Sequence, residues 1–128
     1  MTHTVQVTCA FDAAHQLFLP YMSKCNNRHG HRYNVVVRFS GPLNVCGMVA
    51  DFTHVKRIIM DEYDHQDLNE VMPHGVPTTA ENLAHAIATL LSVRLPRYRC
   101  DDAMLYPYLN IDSVTVFETP GNEVTVTW

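Results

Sequence analysis

The chain has 128 residues, a size typical of one domain, and 47% of them are hydrophobic while 17% are charged. This balance excludes a disordered tail and a coiled coil. The formal net charge of -4 argues against a broad basic face that binds nucleic acid. We therefore expect a single domain over residues 1–128.

The sequence predicts no membrane segment and no secretion signal. No apolar run approaches the roughly 18 residues needed to cross a bilayer. The first ten residues lack a basic segment followed by an apolar stretch, which argues against a signal peptide. Four cysteines in such a chain are expected to be reduced thiols. These observations favour a cytoplasmic protein.

Two segments near the N-terminus alternate between apolar and polar residues. They are residues 4–11 and residues 31–39, and the second is rich in β-branched and aromatic side chains. Such alternation predicts half-buried strands. Residues 16–28 between them carry turn-forming residues and predict a long loop, and long loops inside a small domain are usually functional.

The middle of the chain has helical periodicity, and the end alternates again. Phe52, Val55, Ile59 and Tyr63 are spaced for one helical face. Thr78 and Glu81 have the spacing of a capping box that opens a second helix. Residues 111–117 and 123–128 predict a terminal hairpin. The order strand, strand, helix, helix, strand, strand favours an α+β fold with an antiparallel sheet.

Three histidines form the most informative pattern. His29 and His31 are two residues apart at the start of the second strand, so they point to the same face. His15, counted by twos along the first strand, falls on the matching face. Three imidazoles with an open fourth position are typical of catalytic zinc, although iron, nickel and copper also accept imidazole. The alternative is that all three are ordinary polar residues of strand ends and loops.

Cys25 lies on the predicted loop, four residues before His29, with Lys24 and Arg28 nearby. Positive neighbours favour the thiolate, which is the nucleophilic and basic form of cysteine. One alternative is a fourth ligand of a closed structural zinc site, and another is an inert loop cysteine. Structural zinc sites usually contain paired cysteines, and the chain has no C-x-x-C pair, so we favour a catalytic Cys25.

Six short motifs follow one another along most of the chain. They are Phe11-Asp12-Ala13-Ala14-His15, Cys25-x-x-x-His29-Gly30-His31, Gly47-Met48-Val49-Ala50-Asp51-Phe52, Asp64-His65-x-x-Leu68-Asn69, Thr79-Ala80-Glu81-Asn82 and Val116-Phe117-Glu118-Thr119. In these motifs the sequence resembles the 6-pyruvoyltetrahydropterin synthase family, which includes 6-carboxytetrahydropterin synthase.

The resemblance implies the tunnelling fold, or T-fold, with a four-stranded antiparallel sheet and two helices. It also implies a homohexamer built as a dimer of trimers, with active sites at subunit interfaces. The implied substrate is the small molecule 7,8-dihydroneopterin triphosphate. No nucleic-acid or membrane partner is expected.

The resemblance also implies roles for individual residues. It makes His15, His29 and His31 ligands of zinc, Cys25 the proton-abstracting base, and Asp64 with His65 its assistants. Glu118 would anchor the pterin ring, and Thr79 would add a contact. For Asp64 and His65 the alternative is a polar cluster that ends a helix; for Glu118 it is a strand end bent into water; for Thr79 it is a helix cap.

The spacing of Cys25 and His29 bears on the branch of the family. Three intervening residues resemble the 6-carboxytetrahydropterin synthase branch, which supplies queuosine and other 7-deazapurines. We expect a zinc-dependent lyase that releases acetaldehyde and triphosphate. The alternatives are a 6-pyruvoyltetrahydropterin synthase, which eliminates triphosphate only, and a non-catalytic pterin- or metal-binding module.

Overall fold

The structure is a computed structural model that describes residues 1–128. In chain order its elements are β1 (His3–His15), β2 (His29–Gly41), α1 (Phe52–Tyr63), β3 (Gln66–Asp67), α2 (Leu68–Val71), α3 (Ala80–Arg94), β4 (Arg99–Cys100), β5 (Ala103–Met104), β6 (Asn110–Thr119) and β7 (Asn122–Thr127). None of the helices is long and apolar enough to cross a bilayer.

The four long strands form one sheet, as the sequence predicts. The strand order is β3-β1-β2-β6-β7, and all neighbours are antiparallel except β1 and the two-residue β3. The predicted order of two strands, two helices and two strands is therefore confirmed for the long elements. The short elements β3, α2, β4 and β5 are additions that the sequence pattern did not indicate.

Both N-terminal strands are longer than predicted, and this matters for the site. β1 continues to His15 and β2 begins at His29, and these two residues are paired across the two strands. The segment between them remains a loop, with a single 3₁₀ turn at Lys24–Asn26. All three histidines therefore belong to strands, whereas the predicted first strand ended at residue 11, before His15.

Helices α1 and α3 pack on one face of the sheet. Alternate residues of β2 point into this core, and Val35, Val37 and Phe39 are fully buried there. Each such side chain contributes about 1.5–3 kcal/mol through burial. The predicted apolar face of α1 is correct except at Phe52, which is 51% exposed because it is the first residue after the Asp51 cap.

The predicted capping box at the start of α3 is wrong by one residue. Thr79 is the N-cap, and its side chain accepts a hydrogen bond from the Asn82 backbone N–H at 3.2 Å. Thr78 is buried instead, and its carbonyl oxygen lies 2.7 Å from Nδ1 of His15. A tertiary contact thus occupies the residue that the sequence pattern assigned to the cap.

The segment between α3 and β6 contacts the start of α1 through two tyrosines. The Tyr106 hydroxyl accepts a hydrogen bond from the Asp51 backbone N–H at 3.1 Å and lies 2.7 Å from Nδ1 of His54. The His54 ring stacks on Tyr98 with a centroid distance of 3.8 Å. These polar and aromatic contacts hold the segment against the start of α1.

Candidate active site

The register of β1 and β2 brings three imidazoles together. His15 pairs with His29, and His31 lies two residues further along β2 on the same face. One ring nitrogen from each histidine lies within 4.8 Å of the others. The cluster needs no loop rearrangement, because two regular strands place all three rings.

Two of the rings are oriented by backbone carbonyls. His15 Nδ1 lies 2.7 Å from the Thr78 carbonyl oxygen, and His29 Nδ1 lies 2.6 Å from that of Asn27. A carbonyl only accepts hydrogen bonds, so each Nδ1 carries the proton and each Nε2 presents a lone pair. Metal-binding histidines are commonly held by such outer contacts.

Two of the three histidines are favoured in the neutral form that binds a cation. Burial lowers the pKa of His15 and of His31, which favours the neutral imidazole that a metal ion requires. His31 Nε2 is also buried and has no hydrogen-bond partner in the protein. An unpartnered buried nitrogen beside two others fits a metal centre better than it fits a packed core.

Glu118 lies at the edge of this cluster. It belongs to the face of β6 that buries Val114 and Val116. Its Oε1 is 3.5 Å from His15 Nε2 and 3.6 Å from His31 Nε2, and its side chain is partly exposed. The partly exposed carboxylate therefore lies beside two of the three ring nitrogens.

Cys25 is held close to the end of β1 by its backbone. Its carbonyl accepts a hydrogen bond from the Leu17 N–H at 2.9 Å, and its own N–H donates to Ser23 Oγ at 3.1 Å. The side chain is half-buried, and the thiol is free. Its sulfur does not belong to the compact group of three ring nitrogens.

A network of amides fixes the loop that carries Cys25. Asn69 both accepts from the Gln16 N–H at 2.8 Å and donates to the Gln16 carbonyl at 3.0 Å. The Gln16 side chain donates to the Asn26 carbonyl at 2.7 Å, and Asn26 Oδ1 accepts from the Leu19 N–H at 2.8 Å. These hydrogen bonds hold the loop in a defined conformation beside the end of β1.

Asp64 and His65 lie directly after α1 and are not brought to the three histidines within this chain. His65 has a left-handed backbone with φ of 59°, and its N–H donates to the Asp12 carbonyl at 2.7 Å. Its Nε2 is 3.6 Å from Asp64 Oδ2, and its side chain is 80% exposed. His65 lines a cleft of about 530 Å³ together with Arg32 and Asp67, and His31 also contributes to its lining.

A comparison with protein families identifies the family of the chain. Residues 4–127 match the family model described as 6-pyruvoyl tetrahydropterin synthase. The chain belongs to the 6-pyruvoyl tetrahydropterin synthase family. The resemblance seen in the six sequence motifs is therefore confirmed over nearly the whole length of the chain.

Two similar relatives are named as 6-carboxy-5,6,7,8-tetrahydropterin synthases. The chain is 34% identical over 139 residues to the 6-carboxy-5,6,7,8-tetrahydropterin synthase of Haemophilus influenzae, covering 87% of this chain and 89% of the relative. It is 49% identical over 59 residues to a Pyrococcus horikoshii protein provisionally given the same name. That shorter match covers 46% of this chain but only 37% of the length of the Pyrococcus protein.

A solved structure in the family has the same fold. The 6-pyruvoyl tetrahydropterin synthase of Caenorhabditis elegans superposes with a TM-score of 0.71 at 27% identity, covering 100% of this chain and 96% of that one. The α+β tunnelling fold predicted for this chain is thus confirmed. The relatives named above are synthases by name.

Several residues that hold the histidines and the Cys25 loop in place could not be predicted from the sequence. Thr78 and Asn27 act through backbone carbonyls, which leave no trace in side-chain type. Asn69 is the last residue of one of the sequence motifs, and Asn26 directly follows Cys25. The sequence does not show which atoms their side chains bind. Thr79, a predicted pterin contact, uses its side-chain oxygen as the α3 cap.

Proposed function

We propose that this chain is a zinc-dependent lyase that converts 7,8-dihydroneopterin triphosphate and water to 6-carboxy-5,6,7,8-tetrahydropterin, acetaldehyde and triphosphate. The observation that carries the proposal is the convergence of His15, His29 and His31 with Glu118 beside them. The name of the Haemophilus relative and the three residues between Cys25 and His29 support the 6-carboxy product. The pathway would be 7-deazapurine (queuosine) synthesis in the cytoplasm.

His15, His29 and His31 would hold the zinc ion. The carbonyls of Thr78 and Asn27 keep two of these rings in the tautomer with a free Nε2. When bound, zinc supplies Lewis-acid chemistry, since it lowers the pKa of coordinated hydroxyl groups and stabilises developing negative charge on oxygen. The remaining work, which is binding the pterin and moving protons, falls to other side chains.

Cys25 would take a proton from the substrate side chain. The amide network of the loop positions its backbone near the end of β1, and the thiol stays outside the group of ligand nitrogens. A base held in this way typically contributes about 10²–10⁴-fold to the rate. The placement supports a base more than a fourth metal ligand.

Asp64 and His65 would assist the proton transfers. Histidine is a common proton shuttle in enzymes, which suits His65 for this role. The 3.6 Å separation of His65 Nε2 and Asp64 Oδ2 is long for a direct hydrogen bond, so the carboxylate would orient the ring mainly through its charge. His65 is exposed, which suits a residue that contributes to an active site formed together with another copy of the chain.

Glu118 would bind the pterin ring. The amino group and ring N–H of a pterin form a two-donor edge, and an ionised carboxylate accepts both hydrogen bonds. The partly exposed Glu118 carboxylate is available for this contact. Thr79 would add a contact from the start of α3, because a hydroxyl that accepts from Asn82 still has its own proton to donate.

The assembly would be a homohexamer of two trimers with sites at the interfaces. β7 is an edge strand, and β3 covers only Ala13 and Ala14 on the outer side of β1. Unpaired strand edges favour pairing with another chain. Phe18 is 79% exposed and Met22 is fully exposed on the loop that carries Cys25, so a neighbouring chain has apolar surface to cover.

Product analysis tests the function. Zinc-loaded protein is incubated with 7,8-dihydroneopterin triphosphate, and pterins and acetaldehyde are measured by mass spectrometry, with Cys25→Ala as the control. A 6-carboxypterin with stoichiometric acetaldehyde supports the proposal. A pyruvoyl pterin without acetaldehyde indicates the second candidate, which the Caenorhabditis elegans structure favours. Binding without any product would indicate a pterin-binding module.

A further inference from the structure

Tyr33 has a buried hydroxyl for which the protein provides no hydrogen-bond partner. Its side chain is fully buried and among the largest in the core. The oxygen is shielded from solvent, and no donor or acceptor of the chain lies within hydrogen-bond distance. An unpartnered buried hydroxyl costs free energy, and phenylalanine would fill the same space without that cost. Packing therefore explains the ring and leaves the hydroxyl unexplained.

The ring lies between the candidate metal ligands and the apolar core. On β2 it follows His31 by two residues, so the two side chains share a face. The Tyr33 ring centroid is 5.5 Å from that of His31 and 6.1 Å from that of His15, edge to face in both cases. The phenol is thus an immediate neighbour of two of the three ligands.

Tyr33 is also next to Glu118. Asn34 pairs with Phe117 across β2 and β6, so the residue before Asn34 faces the residue after Phe117. A phenol hydroxyl both donates and accepts hydrogen bonds, so the unpartnered Tyr33 O–H can act as a donor.

We propose that Tyr33 is a positioning residue whose O–H donates a hydrogen bond to an oxygen that is not part of the protein. This oxygen would be held at the three-histidine centre. It comes either from a water on the metal or from a hydroxyl of the bound substrate side chain, and only the second source rests on the proposed function. The phenol orients that oxygen beside the imidazoles.

The test compares Tyr33→Phe with Tyr63→Phe. Tyr63 is a matched control, because it is buried and stacks on Phe11 with the same centroid distance of 5.4 Å and angle of 25° as Tyr33. In metal-free protein we expect Tyr33→Phe to melt at the same temperature as the parent or higher. A lower melting temperature would mean that the hydroxyl has a partner inside the fold, and it would overturn the proposal.

Two further measurements identify the source of the oxygen. In the first result, saturation with zinc raises the melting temperature less in Tyr33→Phe than in the parent and in Tyr63→Phe. That result assigns the oxygen to metal-bound water. The second result has three parts in Tyr33→Phe: the rise in melting temperature with zinc is unchanged, 7,8-dihydroneopterin binds about three- to tenfold more weakly, and 6-methyl-7,8-dihydropterin binds as it does to the parent. This result assigns the oxygen to a substrate hydroxyl. Zinc and pterin responses equal to those of the parent overturn the proposal. A parent that binds neither pterin refutes the proposed function, while the zinc comparison still decides the role of Tyr33.

Discussion

The Thr78 carbonyl accepts a hydrogen bond from His15 Nδ1 at 2.7 Å, and it thereby links the segment before α3 to a residue at the end of β1. Both residues are buried. The contact fixes the His15 tautomer so that Nε2 points a lone pair at His29, whose own Nε2 is 3.0 Å away. Two lone pairs at that distance repel each other unless a proton or a metal ion lies between them. Burial disfavours the protonated form of His15, so the arrangement favours the metal.

The first prediction concerns metal content. Purified protein should contain about one metal ion per chain, the stoichiometry of a single three-histidine site. His29→Ala or His31→Ala should weaken binding by more than the roughly 10- to 100-fold that loss of a supporting outer contact costs. Elemental analysis after dialysis measures this, with the exposed His85→Ala as control. Full retention of metal in the single alanine variants of all three ligands would eliminate the site.

The second prediction concerns pH in metal-free protein. Burial lowers the pKa of His31 and His15 below the ordinary value of 6.5, so below that pH the unfolded chain binds more protons than the folded one. Stability should be constant above about pH 7 and should fall as the pH drops through 6.5 toward the lowered values. Urea midpoints in a chelator should show this slope, and His31→Gln should reduce it while His85→Gln does not. Equal slopes in all three proteins would contradict the prediction.

The third prediction concerns Cys25. Cys25→Ala should keep the fold and the metal while turnover falls by at least about 10²-fold, because the thiol acts as a base and not as a ligand. Turnover and metal content are measured on the same preparation. Loss of metal together with the thiol would instead make Cys25 a fourth ligand of a structural site.

Chemical labelling of the thiols gives a second test of Cys25, with Cys9 as the internal reference. It packs against the core, and burial raises its pKa to about 11. At pH 8 about one thiol in a thousand is then ionised, so iodoacetamide should leave Cys9 unmodified. Inactivation should follow the labelling of Cys25, as shown by peptide mass spectrometry. Inactivation that follows the labelling of Cys9 would point to unfolding rather than to loss of a base.

The convergence of the three histidines could be predicted because it depends on strand periodicity. His29 and His31 share a face in any strand, and His15 needed only an antiparallel neighbour, which the α+β pattern provides. The sequence could not show that Thr78 holds His15, since a backbone carbonyl 63 positions away has no sequence signature. It also missed the left-handed backbone of His65, because this residue is neither glycine nor asparagine; its N–H donates to the Asp12 carbonyl.

The fourth prediction concerns assembly. Light scattering should give about six times the 14.6 kDa mass of one chain, because the sheet has open edges and the loop near Cys25 exposes Phe18. Phe18→Glu should lower the mass if this side chain is covered by a neighbour. A substitution of a solvated side chain would change stability by less than about 0.5 kcal/mol and would not change the mass. A monomer at micromolar concentration in the parent protein would count against interface sites.

The last prediction concerns Glu118. If its carboxylate binds the two-donor edge of the pterin, Glu118→Gln keeps the shape but turns one acceptor oxygen into a donor NH₂ that faces a substrate donor. A hydrogen bond to a charged group is worth about 1.5–3 kcal/mol, so pterin affinity should fall by about ten- to a hundredfold or more. Metal content should not change, because the three imidazole ligands remain. Folding stability should be equal or slightly higher, since the carboxylate has no donor of its own within the ligand-free site. Equilibrium binding of 7,8-dihydroneopterin to zinc-loaded protein measures the loss, and an affinity equal to that of the parent would show that Glu118 is only a solvated strand end.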